Sequence, residues 1–151
     1  MKYHIINLLI FSSLLFGCKP KENPYPFGET SYERASFIKT IIKRNHTIPG
    51  NIFEAECIEE KIGDGFLGPA DYTFFAKISI DENQVESWKQ ALGEQILNRN
   101  YNSPKIPKEW WVSESDFMNL KFYPPNIFGR NNGWVGISND GATLYIMTYT
   151  M

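Results

Sequence analysis

Tyr72-Thr73-Phe74-Phe75-Ala76-Lys77-Ile78-Ser79-Ile80 alternates across a pleat, with Tyr72, Phe74, Ala76, Ile78 and Ile80 on one face and Thr73, Phe75, Lys77 and Ser79 on the other. The run before it, 52–61, alternates too: Phe53, Ala55 and Cys57 share one side, and Glu54 and Glu56 take the other. Neighbouring strands pair antiparallel by default. The long connection carries Gly63-Asp64-Gly65 and Gly68-Pro69, with apolar Phe66 and Leu67 at its middle. Two further strands follow at 134–138 and 143–150, joined by Asn139-Asp140-Gly141, whose Asp-Gly pair is a strong hairpin signal.

Helices flank these strands. Residues 31–44 place Ala35, Ile38, Ile41 and Ile42 at helical spacing, with Phe37 beside the stripe. Thr30 or Ser31 suits the first turn as a cap, Glu33 suits the positive end, and Lys43 and Arg44 suit the negative one. Residues 81–93 form a second helix buried through Val85, Trp88 and Leu92 and ended by Gly93; Asp81 with Gln84 resembles a capping box. Ser113 and Asp116 cap a short helix carrying Phe117, Met118 and Leu120, which Phe122-Tyr123-Pro124-Pro125 ends. The expected fold is one small α+β domain over 31–151: about four mainly antiparallel strands, with two main helices and one short helix on one face.

The amino-terminal part has a different logic. Lys2 gives a positive start, and an apolar run from Ile5 to Phe16 is too short for the roughly 20 residues of a spanning helix. It ends in Leu15-Phe16-Gly17-Cys18, which resembles the lipobox of bacterial lipoproteins. That resemblance implies a signal peptide over 1–17 and a lipid on the Cys18 sulfur; no cofactor is expected. Lys19 after the cysteine implies the outer membrane by similarity to enteric lipoproteins. Several acyl chains hold durably where one holds reversibly, at about 0.8 kcal/mol per buried methylene. Residues 19–30 contain Pro20, Pro24 and Pro26 and read as a tether, reaching roughly 40 Å when extended.

Without residues 1–17, the 151-residue chain keeps 134 residues, 14 Lys and Arg, and 17 Asp and Glu. A net charge of −3 is not that of a nucleic-acid binder. Residues 54–94 hold ten acids and three lysines, an excess that is either a solvated face or an attraction for a basic partner. With Cys18 spent on lipid, Cys57 has no disulfide partner and reads as a small core residue. His46 is the one histidine beyond the signal. No nucleophile elbow, phosphate loop or zinc spacing occurs, and two strand glutamates fall far short of a calcium shell, so neither a catalytic class nor a metal is implied.

Trp110, Trp111, Phe117, Phe122, Tyr123, Phe128 and Trp134 crowd together beside Arg130, Asn131 and Asn132. Trp, Tyr and Arg are the types enriched at binding hot spots; equally, such a group fills the core beneath irregular loops. If the group binds, Phe66, Trp110, Trp111, Arg130 and Trp134 are the candidate contacts for a protein or glycan. Three roles are compatible with these features. One is an anchored, non-catalytic binding module, immunity-type proteins included. The others are a cell-wall or glycan hydrolase using a carboxylate pair, and a structural subunit of an envelope assembly.

Overall fold

The computed structural model describes residues 26–44, 46–62, 71–97 and 99–150. The lipobox, most of the tether and Phe66 lie outside the described residues.

The chain forms α1 (Ser31–Lys43), β1 (Ile52–Ile62), β2 (Asp71–Ile80), α2 (Val85–Leu92), α3 (Glu114–Phe117), β3 (Lys121–Tyr123), β4 (Gly133–Ile137) and β5 (Thr143–Tyr149). The strands make one antiparallel sheet in the order β1-β2-β5-β4-β3. It is an α+β domain with five strands rather than four. The fifth, β3, lies where a helix ending was expected: three residues between Leu120 and Pro124 are too few to reveal an alternation.

Each helix starts where local chemistry satisfies its free amides. Thr30 has extended backbone and accepts from Glu33 N at 3.2 Å, while the Glu33 carboxylate accepts from Thr30 N at 3.1 Å and Glu29 N at 2.7 Å. Those backbone donors hold the Glu33 carboxyl below its ordinary range. Asp81 does not open a capping box. It caps a 3-10 turn over Glu82–Gln84, and the Gln84 amide oxygen instead accepts from Asn51 N at 2.6 Å. Gly93, at φ +87°, ends α2.

One sheet face carries α1 and α2. Ala35, Ile38, Ile42, Trp88 and Leu92 pack there on Ala55, Cys57, Ala76, Ile78, Val135, Leu144 and Ile146. A bulge between Ile52 and Glu54 changes the expected pattern of β1. Ile52, not Phe53, joins Ala55 and Cys57 in the core, and Phe53 is left 52% exposed.

The opposite face is covered as well, by the irregular chain that follows α2. Phe75, Trp111, Val112, Phe117, Leu120, Phe122, Trp134 and Met147 form a second core there. Hydrogen bonds substitute for periodicity in this layer: Trp111 Nε1 donates to Asn102 O at 2.9 Å and Tyr101 Oη to Val112 O at 3.0 Å. Ser113 caps α3 through Asp116 N, with Phe117 turned inward and Met118 outward. The last strand stops at Tyr149, short of the expected end. Thr150 is still tied to β2, its N donating to Tyr72 O and its hydroxyl accepting from Tyr72 N at 2.8 Å.

Candidate functional site

Where the helical layer stops short of the sheet's end, the face that carries α1 opens into a groove of about 260 Å³. Its floor is one cross-strand row. Glu59 of β1 pairs with Phe74 of β2, and Phe74 with Thr148 of β5. Period-two alternation puts this row on the same face as Cys57 and Ala76, one step beyond the sealed core.

The first wall is α1. Phe37, Ile41 and Arg44 follow at positions i, i+4 and i+7, so they form a ridge beside the buried Ala35, Ile38 and Ile42. The second wall is Phe128, Gly129 and Arg130. Pro125 precedes a 3-10 turn over Asn126–Phe128 with Ile127 and Phe128 buried, and Gly129, left-handed at φ +70°, turns the chain so that Arg130 follows into solvent. Phe27 closes the ring, its centroid 5.0 Å from Phe37 and 5.7 Å from Phe74, edge-on to the latter.

Arg34 ties down the chain just after Phe27. Its Nη1 donates to Gly28 O and Glu29 O at 3.1 Å, its Nε to Ala55 O at 3.0 Å, and its Nη2 meets the Glu56 carboxylate at 2.9 Å. One guanidinium fork therefore ties the chain before α1, the helix and the edge strand together. Among the described residues the ion pairs are Arg34–Glu56 and Lys89–Glu86; Arg44, Arg130 and Glu59 belong to neither. The groove thus presents four phenylalanines, two uncommitted guanidiniums and one carboxylate.

The candidate contacts separate. Trp134 is 2% exposed and Trp111 7% exposed. Trp111 and Trp134 lie 5.8 Å apart within one aromatic cluster, with Phe75, Phe117, Phe122 and Tyr145 ringed about them. Trp110 is half-buried, edge-on to Trp111 at 5.9 Å. Arg130 is exposed and lines the groove on the opposite sheet face. The aromatic crowding therefore serves packing at Trp111 and Trp134, and Arg130 is the member of the set that lines the groove beside α1. Arg44, Glu59, Phe27, Phe37 and Phe74 were not singled out from the sequence as groove residues. The i, i+4, i+7 ridge on α1 was a readable sign of a second face on that helix.

Two other recesses are more polar. One, of about 520 Å³, lies between the sheet and residues 99–105 and includes Glu60, Arg99, Lys105, Trp134 and Tyr149. Its Lys105 and Glu60 are already engaged, Lys105 N donating to the Glu60 carboxylate at 2.9 Å and Lys105 Nζ to Lys61 O at 3.2 Å. The other, of about 270 Å³, places Asp116 and Asp140 around Tyr145. Burial, then the two carboxylates, raises the Tyr145 hydroxyl above its ordinary range. Both aspartates are exposed, whereas glycosidic general acids depend on a sheltered carboxyl.

Cys57 is buried, and desolvation pushes its thiol up to about 12, outweighing the opposing pull of Arg34. A thiol held neutral in this way is a poor nucleophile. Among the described residues no three His, Cys, Asp or Glu side chains gather to hold a metal. Comparison with protein-family models, curated proteins and solved structures gave no match for this chain.

Proposed function

We propose that this chain is a bacterial envelope lipoprotein, anchored through acylated Cys18 in the outer membrane, whose folded domain is a non-catalytic binding module. The anchor rests on Leu15-Phe16-Gly17-Cys18 and the proline-bearing tether behind it. The binding reading rests on one observation: Arg44 and Arg130, from separate elements, line a phenylalanine-walled groove without an ion-pair partner among the described residues. Unpaired arginines beside aromatic rings are the side-chain chemistry of interface hot spots.

A protein partner is favoured over a glycan. Sugar rings stack on open aromatic faces flanked by amides and hydroxyls, whereas Phe27 meets Phe74 edge-on and Phe128 is buried. An immunity-type role is one form of this reading. Two of the acids of β1 bear on it less, because Glu56 is held by Arg34 and Glu60 by Lys105. Charged side chains along an edge strand also discourage pairing with stray strands.

Membrane fractionation and affinity capture together test the proposal. Cys18→Ser should release the protein from the envelope and abolish the lipid mass increment. Capture with the wild-type chain should retain a protein that Arg44→Gln/Arg130→Gln loses at equal expression and melting temperature. Unchanged membrane retention of Cys18→Ser would overturn the anchor. Identical captures by both chains would overturn the groove as the binding surface.

A further inference from the structure

Resting on that binding reading, we propose that the groove beside α1 takes the last residue of a partner polypeptide, an apolar side chain carrying a free carboxylate. Two properties of the groove select this chemistry.

The first is charge. Arg44 and Arg130 contribute +2 and Glu59 contributes −1, leaving a net +1 on the groove. A monoanion matches that balance; a phosphate group or a polyanionic glycan brings more negative charge than the groove offsets and also faces Glu59. A guanidinium fork binds a carboxylate through two parallel N–H donors.

The second is size and lining. The volume of about 260 Å³ lies below that of a site for a drug-sized molecule and suits one large apolar side chain. Phe27 meets Phe37 in a tilted contact and Phe74 edge-on, so a further aromatic ring can join the cluster in the geometries such pairs prefer. A chain terminus provides the single charge and the apolar body on one residue. An internal acidic stretch brings additional carboxylates toward Glu59.

N-acetyl-L-phenylalanine is the minimal probe, and N-acetyl-L-phenylalaninamide is its neutral counterpart. Both are titrated into the Cys18→Ser protein, with amide chemical shifts mapping the contact. The acid should bind with a dissociation constant on the order of a millimolar, as expected for so few atoms. It should shift the signals of Phe37, Arg44, Phe74 and Arg130, and it should weaken as salt is raised. The amide should bind at least about tenfold more weakly, the loss expected on removing a charge-assisted pair. Arg44→Gln and Arg130→Gln should each reduce the acid's affinity without moving the amide's.

Equal binding of acid and amide, or shifts confined to another face, overturns the proposal. Binding of octanoate in preference to N-acetyl-L-phenylalanine overturns it in favour of a fatty acid. If the acid fails to bind while Arg44→Gln/Arg130→Gln still loses the captured protein, the terminal-carboxylate chemistry is wrong and the binding module stands. If both fail, the groove reading itself falls.

Discussion

Replacing Trp134 with alanine should destabilise the domain by about 4 kcal/mol. The ring sits on β4 beneath the irregular layer, with centroids at 5.3 Å from Phe117, 5.6 Å from Phe122 and 5.8 Å from Trp111. Truncating a buried Trp costs about 3–5 kcal/mol, including the cavity left behind. Gly136, one pleat along, is already filled by Leu120, so the neighbours have little room to collapse into the vacancy. Among the described residues the ring's own N–H has no hydrogen-bond partner, so its removal recovers part of the loss and argues against the upper end of that range. At roughly 3–6 °C per kcal/mol for a domain of this size, the melting temperature should fall by roughly 12–24 °C. Circular dichroism under heat and urea measures it, with half-buried Trp110→Ala as a control expected to cost about 1 kcal/mol. A Trp134→Ala loss below about 1 kcal/mol, or a larger loss from Trp110→Ala, would show that the tryptophans are a surface rather than a core.

Three other outcomes follow from local geometry. Gly133→Ala should cost at least about 2 kcal/mol by urea denaturation, because at φ +118° its new methyl would sit 2.0 Å from Met147 O; a loss under about 0.5 kcal/mol would contradict the strand pairing. In the Cys18→Ser protein, Cys57 should resist a thiol reagent at pH 8 until the domain unfolds. Its native value is raised above that of the unfolded chain, so its contribution to stability is intact below pH 9 and declines as pH rises toward about 12; raised Tyr145 adds to the same loss, and rapid native labelling would refute the burial. Thr30→Ala should lower stability by about 1 kcal/mol through loss of the α1 cap. Glu33, lowered in the fold, contributes stability at neutral pH that fades as its carboxyl protonates, and a pH-independent stability between 3 and 6 in both chains would remove the cap from the account.

Four strands and both main helices were readable because their apolar residues repeat with the element's own period. The unread parts have non-local causes. Phe53 and Ile52 exchange faces through a bulge set by pairing with Ile80 and Ser79, which the alternation of β1 alone does not encode. The layer over the second sheet face has no period; it is held by Trp111 Nε1 to Asn102 O and by Tyr101 to Val112 O, bonds that exist once the chain has folded back. The tryptophan cluster stood out as a composition, but composition does not distinguish a packed ring from an offered one, and Trp111 with Trp134 proved to be packed. Arg130 was visible beside that cluster. Its companion Arg44 read as a cation suited to a helix end, and only the register joining Glu59, Phe74 and Thr148 brings the two arginines to one groove.

Photo-crosslinking in intact envelopes tests the binding module most directly. A benzophenone side chain is placed at exposed Asn131, beside Arg130 with both groove arginines retained, or at exposed Met118 on the opposite sheet face. The account predicts a discrete protein adduct from position 131, its loss in the Arg44→Gln/Arg130→Gln background, and none from position 118. An adduct from position 118 alone, or one from 131 that survives loss of both arginines, would contradict it.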